Sequence, residues 1–369
     1  MIGPASGAWR GASPGALSSS PECDWSLCTA SIAQKPNPEN TVMPGELTVT
    51  TRLRPLDIRI PKWDHDDLIM RDCPVCAATD SALVCERPDS LSVRECRNCR
   101  LNFVSPAPSH VQLQAFYSDY DENHRRSERT SVEELAESYA DADPFAALYV
   151  RELKSLMDFE GARVLDVGFG RAALLINLQR LGSEPFGIEL DEQAIMLARS
   201  LGLQNVFHGD ISEYTSEKKF DLITLLDLVE HPLEPMDLLK RTADLLQEGG
   251  LMLVWTPNGA YSRRDSAYTT YRVDLEHMQY FTPETCSFIA SELQLQIVHL
   301  ETVGFPGLEG IDKLRRDVKP RLRARATMSL IKVVPGMRFI NRARRKFMTN
   351  EPDQRRGSFN LFCIMQKPQ

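Results

Sequence analysis

The sequence predicts an α/β fold in which helices cover both faces of a parallel sheet. Short apolar runs alternate with helical patterns from Arg163 onward, and this alternation is typical of parallel sheets. The first run, 164–167, stops at Gly168 and Gly170 and passes straight into an apolar helix, which indicates a tight strand–helix turn. Polar side chains follow successive strands at their carboxyl ends, the edge at which such sheets bind ligands.

Most of the predicted strands end next to an acidic side chain. Asp166 lies at the end of the first strand and Glu189 at the end of the second, whereas Asp210 and Asp227 follow the third and fourth. An acid about twenty residues beyond a glycine turn is placed to accept hydrogen bonds from ribose hydroxyls. Asp191 is expected to cap the next helix. The predicted strands after the first are 184–190, 206–211, 220–226, 250–255, 296–303 and 359–365.

Length and composition indicate a globular protein of two domains. The chain has 369 residues, of which 42% are hydrophobic and 25% are charged. No apolar run approaches the ~18 residues that span a bilayer. Residues 1–50 are rich in Ser, Pro, Gly and Ala and lack the charged start and apolar core of a secretory signal, so we expect a disordered tail. A cytoplasmic location is the default expectation.

Two C-x-x-C pairs predict a metal site. Cys73 and Cys76 form the first pair and Cys96 and Cys99 the second, with nineteen residues between the pairs. Four thiolates at this spacing are typical of tetrahedral zinc and leave the ion no open position for chemistry, so we expect a structural zinc ribbon over 60–105. An iron–sulfur cluster is the alternative. A disulfide-linked module fits poorly with a chain that lacks a secretory signal.

The charge balance of the ribbon argues against nucleic acid as a partner. Between Lys62 and Ser105 there are six basic and eight acidic residues, whereas a phosphate-binding surface shows a basic excess. The following residues, 106–160, are expected to form a helical connector. One interpretation places Tyr117, Tyr120 and His124 at a substrate entrance.

Together these blocks resemble a class I S-adenosylmethionine-dependent methyltransferase. The matching stretches lie between Gly161 and Leu293 and read LDVGFGRA, GIELD, HGDI, FDLITLLDLVEHPLEP, LLQEGGLMLVWTPN and LEHMQYFTPETC. The upstream CPVC…CRNCRLNFVSPAP…FYSDY resembles the cysteine-rich N-terminal segment of the branch that includes nucleotide-sugar C-methyltransferases. The resemblance implies a Rossmann-like sheet, and S-adenosylmethionine (SAM) as the cofactor.

The resemblance also implies a cofactor site. The glycine turn and its acid would hold the methionine end, the second strand's acid the ribose, the third strand's end the adenine, and the fourth strand's acid would close the site near the sulfonium. Ala172 stands where the family usually has a third glycine. In the order just given, the implied residues are Asp166, Gly168, Gly170, Glu189, Asp210, Ile211 and Asp227.

Two histidines beside acids are candidates for a catalytic base. Methyl transfer often needs a base that removes a proton from the acceptor, and the pKa of histidine suits this task. His231 follows Glu230, and His277 follows Glu276. The stretch EHMQYF resembles the E-H-x-x-Y-F stretch of sugar C-methyltransferases, whose histidine and glutamate are placed at the acceptor, although Asp274 replaces the tyrosine that opens it there. We expect His277 to be the base, while His231 either assists or orients a loop.

A basic segment follows the sixth strand. Residues 311–356 carry fifteen Lys or Arg and four acids, a net charge of +11 in a chain whose net charge is −8. Such a segment suits an anionic membrane surface, a lipid-linked substrate or another anionic acceptor. A solvated lid over the active-site edge and a nucleic-acid contact are the alternatives. The expected location is therefore cytoplasmic, with peripheral membrane association as an option.

The sequence thus predicts an enzyme that transfers a methyl group from SAM to a small-molecule acceptor, a sugar-containing or natural-product metabolite. One alternative is an RNA methyltransferase that uses the ribbon for recognition, although no D/N-P-P-aromatic stretch follows the fourth strand. The other is a non-catalytic, zinc-bearing interaction protein with a methyltransferase fold. The predicted divisions are a tail (1–50), ribbon (60–105), connector (106–160), methyltransferase domain (161–304), basic helical insertion (305–357) and last strand (358–369).

Overall fold

The computed structural model describes residues 60–118, 131–145, 147–264, 269–304 and 359–369. All of them lie in one compact unit, Val49–Gln369. The predicted tail, the basic segment 311–356, Tyr120 and His124 lie outside the described residues. Within the described ranges, no helix is both long and apolar enough to cross a membrane.

The described chain begins with short antiparallel strands. β1 (Leu68–Ile69) is followed by the hairpin of β2 (Ser81–Glu86) and β3 (Ser92–Cys96), and then by β4 (Asn102–Val104) and β5 (Ala107–Pro108). β3 pairs with both β2 and β4, while β1 pairs with β5.

Three helices lead from these strands to the central sheet: α1 (His110–Ser118), α2 (Val132–Asp141) and α3 (Leu148–Leu156). A capping box starts α2, in which Ser131 accepts a hydrogen bond from the backbone N–H of Glu134, whose side chain accepts one in return from the backbone N–H of Ser131. This reciprocal cap marks a helix start that depends on local sequence alone.

The central sheet has seven strands, with helices in the connections. In chain order the elements are β6 (Arg163–Val167), α4 (Ala173–Arg180), β7 (Glu184–Glu189), α5 (Glu192–Ser200), β8 (Val206–His208), β9 (Phe220–Leu226), α6 (Pro235–Leu245), β10 (Leu246–Pro257), α7 (Gly259–Arg264), β11 (Gln279–Tyr280), α8 (Pro283–Glu292), β12 (Gln296–Val303) and β13 (Asn360–Gln366). The strand order across the seven-stranded sheet is β12-β13-β10-β9-β6-β7-β8, and β11 is not part of it.

The sheet is mixed: five strands follow the parallel arrangement that the alternation of strands and helices indicated, and β13 runs the other way. β6 to β10 run parallel to one another, whereas β13 runs antiparallel to both β10 and β12. The reason is the point at which the chain re-enters the sheet. Asn360, the first residue of β13, lies opposite Val303, the last residue of β12, so the new strand must run back along its neighbour.

Helices cover both faces, as the sequence predicts. On one face Leu165 and Ile223 pack with Leu239 of α6 and Ile289 of α8. On the other face of the sheet, Val164 and Leu222, which precede Leu165 and Ile223 in the chain, pack with α3 and α4. This alternation follows from the pleat, which points successive side chains to opposite faces. The residues of the second face include Val150, Leu153, Val164, Leu174, Leu178 and Leu222.

The cysteine-bearing strands share their core with this sheet. β11 pairs with β4 and becomes the fourth strand of the small antiparallel sheet, in the order β11-β4-β3-β2. Leu101 and Phe103 belong to the same buried cluster as Leu165 and Ile223. The small sheet is therefore packed on the side of the central sheet that carries α6 and α8.

Candidate active site

The carboxyl ends of the parallel strands bring three predicted acids to one edge of the sheet. Asp166 is the next-to-last residue of β6, Glu189 is the last residue of β7, and Asp227 directly follows β9. The register pairs Asp166 with Thr224 of β9, so the acid of the first strand faces the crevice between central strands.

The glycine turn after β6 leaves room for a ligand to approach the backbone. Gly168 has φ +72°, and a Cβ at this position would lie 3.2 Å from Leu228 Cδ1, so both conformation and space favour glycine. The N–H of Gly170 donates to Glu189 Oε2 at 2.8 Å, which joins the turn to the second strand. Ala172 also adopts a left-handed conformation, with φ +61°, and its side chain is buried.

Asp166 is buried in surroundings that favour the protonated form of its carboxyl group. The side chain is 3% exposed, and Thr224 Oγ1 donates to its Oδ1 at 2.6 Å. Burial, and then the charge of Glu189, raises the pKa of Asp166 to about 7. A cationic ligand near this carboxyl would therefore displace a proton.

The other predicted cofactor residues lie around the ends of β7 and β8. Glu189 Oε1 accepts from the N–H groups of Leu190 and Asp191, at 2.8 and 3.2 Å. Asp191 caps α5 by accepting from the N–H of Gln193 at 2.8 Å, which confirms that prediction. Past β8, the described residues include an exposed acid and a buried apolar side chain, Asp210 and Ile211.

A cavity of about 450 Å³ opens beside Asp227. It brings Asp227 together with all three predicted catalytic residues. The remaining predicted cofactor residues lie outside its lining, along the adjoining strand ends. The lining residues are Ala147, Leu148, Tyr149, Asp227, His231, Trp255, Pro257, Asp274, Glu276, His277, Gly304, Phe359 and Asn360.

Two histidines of the cavity lining lie beside a fully buried glutamate, Glu230. The rings of His231 and His277 pack edge to face, with their centroids 4.8 Å apart. His277 Nε2 lies 4.0 Å from Glu230 Oε1, and Thr256 Oγ1 donates to Glu230 Oε2 at 2.9 Å. His231 Nδ1 lies within hydrogen-bond distance of Tyr117 Oη, at 2.8 Å. The two loops that follow β9 and precede β11 therefore converge on one point.

The acids of this wall favour protonation. Burial, followed by the charge of Asp227, raises the pKa of Glu230 well above its ordinary value. Burial and the charge of Asp274 likewise raise the pKa of Asp227. Burial thus favours the protonated form of Glu230, whose Oε1 has no hydrogen-bond partner among the described residues.

The histidines favour the neutral form. Burial lowers the pKa of His277 well below its ordinary value, and the charges of His231 and Arg87 lower it further. Burial also lowers the pKa of His231, against the opposing charge of Glu276. A neutral imidazole can accept a proton, so both rings are in the state that a base requires. His231, His277 and Glu230 also place one ligand-type atom each within 4.8 Å of one another, a spacing that could hold a cation as well as serve acid–base chemistry.

The four predicted metal ligands converge at the end of the small sheet where β2 begins and β3 ends. Cys73 Sγ lies 3.4 Å from Cys99 Sγ, and Cys76 Sγ lies 3.4 Å from Cys96 Sγ. All four sulfurs lie within 4.8 Å of one another. Sulfurs at about 2.3 Å from a tetrahedral zinc stand about 3.8 Å apart, so small outward shifts would accommodate the ion. The donor set and its geometry fit zinc.

The sequence did not single out several side chains of this region. Glu230 was noted only as a neighbour of His231, because the direction in which a side chain leaves a turn depends on tertiary packing. Trp255 and Thr256 lie in the stretch LLQEGGLMLVWTPN and Tyr149 in the predicted helical connector, but the sequence assigned none of them a role. Tyr117 was considered as part of a substrate entrance and contacts His231.

Comparison with known proteins decides the family. A sequence-family model described as a methyltransferase domain matches residues 138–300. A ubiquinone biosynthesis O-methyltransferase of Xanthomonas oryzae pv. oryzae is 30% identical over 175 residues, which cover 44% of this chain and 72% of that protein. The chain belongs to the class I SAM-dependent methyltransferases.

Solved structures of methyltransferases are also similar to the chain. A SAM-dependent methyltransferase from Archaeoglobus fulgidus has a TM-score of 0.41 and 23% sequence identity, and covers 68% of this chain and 100% of its own. The plantazolicin methyltransferase BpumL in complex with SAH has a TM-score of 0.41 and 15% identity, and covers 71% of this chain and 92% of its own.

For a methyltransferase, the described residues form two adjoining regions with different chemistry. The strand-end region offers the carboxyl groups of Asp166 and Glu189 beside a glycine turn. The cavity region offers two imidazoles whose burial favours the neutral form, and the carboxyl groups of Asp227, Asp274 and Glu276. Tyr149 lies between them, since burial and the charges of Asp166 and Asp227 all raise its pKa. A cofactor in the first region and an acceptor in the second would meet at Asp227.

Proposed function

We propose that this methyltransferase transfers the methyl group of SAM to a small, sugar-containing or natural-product metabolite. The observation that carries the proposal is the cavity of about 450 Å³ in which Asp227 faces His231, Glu276 and His277. Its size suits a small molecule, and its lining combines acids and imidazoles with apolar and aromatic side chains. When bound, SAM supplies an electrophilic methyl group on a sulfonium.

The roles that we propose for the chain's residues follow from their places. His277 removes a proton from the acceptor, Glu276 accepts hydrogen bonds from acceptor hydroxyls, and His231 steadies His277 through their ring contact. Asp227 closes the boundary with the cofactor. These groups hold the acceptor in line with the methyl group, which lowers the entropic part of the barrier.

On the cofactor side, Glu189 is proposed to bind the ribose hydroxyls, with Asp166, Gly168 and Gly170 at the methionine end and Asp210 and Ile211 at the adenine. Replacing Glu189 by alanine is expected to raise the Kd for SAM about 10- to 100-fold, because hydrogen bonds to a carboxylate contribute about 1.5–3 kcal/mol each. Calorimetric titration measures this change. Glu192→Ala, an exposed acid on the following helix, serves as the control and should leave the Kd unchanged.

The affinity for SAM is expected to depend on pH through Asp166. Its pKa of about 7 means that the carboxyl is protonated at lower pH, whereas the amino group of the cofactor favours the carboxylate. Affinity should therefore rise between about pH 6 and pH 8, with proton release on binding. Titrations in two buffers of different ionisation enthalpy measure that proton. A pH-independent Kd, or the same pH dependence in Asp166→Asn, would refute the assignment.

The four cysteines are proposed to hold a structural Zn²⁺. Cys73, Cys96 and Cys99 are at most 2% exposed, and the four sulfurs lie within 4.8 Å of one another. Four thiolates complete a tetrahedral shell. The ion would therefore support the small sheet and take no part in the reaction.

The basic segment supports an anionic acceptor within the proposed class. Its net charge of +11 would attract a phosphate-bearing sugar, either free as a nucleotide sugar or linked to a lipid at a membrane surface. An acceptor of the second kind would place the enzyme at the membrane periphery. An acceptor of the first kind fits a cytoplasmic location.

One series of measurements tests the function. Zinc-loaded protein is titrated with SAM and then incubated with labelled SAM and panels of nucleotide sugars, lipid-linked sugars and RNA. Methyl transfer to a sugar supports the proposal, and transfer to RNA alone replaces it with the RNA alternative. Folded protein that binds no SAM would favour the non-catalytic alternative.

A further inference from the structure

Arg87 is a fully buried arginine whose donors are all used. It lies in the turn between β2 and β3 and is 0% exposed. Its Nε and Nη2 donate to Asp89 Oδ1 and Oδ2, at 3.1 and 2.5 Å. Nη1 donates to the carbonyl of His277 at 2.6 Å and to Tyr280 Oη at 3.1 Å. Nη2 also donates to the carbonyl of Leu275 at 2.5 Å. Five N–H groups thus meet five acceptors.

This arrangement is specific to the guanidinium. The two carbonyls stand on either side of Glu276, so the fork fixes the backbone that presents Glu276 and His277 to the cavity. A lysine has three donors around one nitrogen and cannot reproduce a planar fork. A buried ion pair is weak evidence for stability, because well-packed apolar residues often stabilise a fold as much. What points to a role in the site is the pair of bonds to the backbone on either side of Glu276.

A second arginine of the cysteine-bearing segment, Arg71, binds the loop that follows β9. Arg71 Nη2 donates to the carbonyl of Leu233 at 2.7 Å and to Gln279 Oε1 at 3.3 Å. Gln279 Nε2 in turn donates to the carbonyls of Val229 and Pro232, at 2.8 and 2.6 Å. The loop that carries Glu230 and His231 is thus tied to the same segment.

We propose that Arg87 is a positioning residue for methyl transfer: from the turn of the cysteine-bearing hairpin it holds His277 in the orientation in which the imidazole meets the acceptor. The inference rests on the proposed role of His277 as the base. It assigns to the N-terminal segment a direct part in building the acceptor site.

The charge of Arg87 adds to its geometric effect. Its positive charge lowers the pKa of His277, next to the larger effects of burial and of His231. Removing that charge should raise the pKa and move the acid limb of the rate profile to higher pH. The titratable or charged groups that face His277 are Glu230 and His231 from the loop after β9, Arg87 from the hairpin, Tyr280 from β11, and Asp227, Asp274 and Glu276 around the cavity.

Two variants separate geometry from charge. Arg87→Lys keeps the charge and loses the fork. The double variant Arg87→Gln/Asp89→Asn removes both charges and leaves no unpaired buried ion, which protects folding. Arg94→Lys is the matched control, because Arg94 lies on the same hairpin and donates to Ser81. Metal content, melting temperature and the Kd for SAM are measured on all three, and kcat, KM and the pH profile with the acceptor found in the screen.

We expect Arg87→Lys to lower kcat about 10- to 100-fold with little change in the Kd for SAM, because a displacement of about 1 Å at a reacting group costs up to about 10²-fold. The pH at which the rate of Arg87→Lys falls on the acidic side should be the same as in the wild type. The double variant should lower kcat similarly and shift the acid limb upward, while Arg94→Lys should behave as the wild type.

Unchanged kcat in folded Arg87→Lys would overturn the inference, as would equal losses in Arg87→Lys and Arg94→Lys. A double variant whose acid limb does not move would overturn the charge effect. The proposed function fails separately: if His277→Ala keeps full turnover, the base is elsewhere. A loss with His277→Ala and none with Arg87→Lys would refute only the role of Arg87.

Discussion

Replacing His277 by alanine is expected to lower kcat by a factor of about 10² to 10⁴, the usual contribution of a positioned general base. The reason is that His277 is a buried imidazole of the cavity lining, and its lowered pKa favours the neutral form that can accept a proton. Rates at saturating SAM and acceptor measure the loss. The Kd for SAM should change less than about twofold, since the predicted cofactor contacts lie along other strand ends.

The pH dependence of the rate tests the same prediction independently. Burial lowers the pKa of His277, so the wild-type rate should fall only at pH values below the ordinary range of histidine. His299→Ala is the control, because His299 is a partly buried histidine on β12 that packs on Phe362 away from the cavity lining. A His277→Ala enzyme with more than about a third of wild-type kcat would mean that another group removes the proton.

Removing the metal is expected to have the largest effect on stability. In small zinc folds, binding of a structural zinc contributes about 10 kcal/mol or more to the free energy of folding. Half of that would lower the melting temperature by roughly 10–20 °C, at about 2–4 °C per kcal/mol for a domain of this size. Cys96→Ser should show this fall, because the residue is 0% exposed and its three partner sulfurs would be left without a complete shell.

Scanning calorimetry and metal analysis measure the effect together. Wild-type protein should contain one zinc per chain, and a chelator should lower its melting temperature as the mutation does. Cys85→Ala is the matched control: this cysteine is also buried in the small sheet, but burial raises its pKa to about 12, so it stays a thiol and binds no metal. Equal metal content and stability in Cys96→Ser and wild type would exclude the site.

The sequence predicted the central sheet well because its strands carry local signals. Phe220–Leu226 is an almost uninterrupted apolar run, as expected of a strand covered on both faces, and the structure has a strand with those bounds. The last strand carries the same kind of signal, but its direction depends on where the chain re-enters the sheet. No local pattern reports that, so the direction of β13 cannot be read from its own sequence.

The strand-end acids were predicted for a similar reason, whereas the wall of the cavity was not. Asp166 and Asp227 end apolar runs, and the edge to which they belong follows from parallel pairing. Glu230 and Arg87 have no such context. Their burial results from contacts between segments far apart in the chain, such as Arg87 with Leu275 and His277. Local periodicity contains no information on such pairs.

The small sheet has a consequence for the order of events during synthesis. Its first three strands and all four cysteines are made early, but Phe103 of β4 pairs with Gln279 of β11, 176 residues later. Until that stretch leaves the ribosome, β4 presents an open edge with unpaired backbone groups, which invites pairing with other chains. The metal can be captured at once, since its ligands are local, whereas the sheet closes only when the loop with His277 arrives. We expect newly made chains to depend on chaperones through this interval.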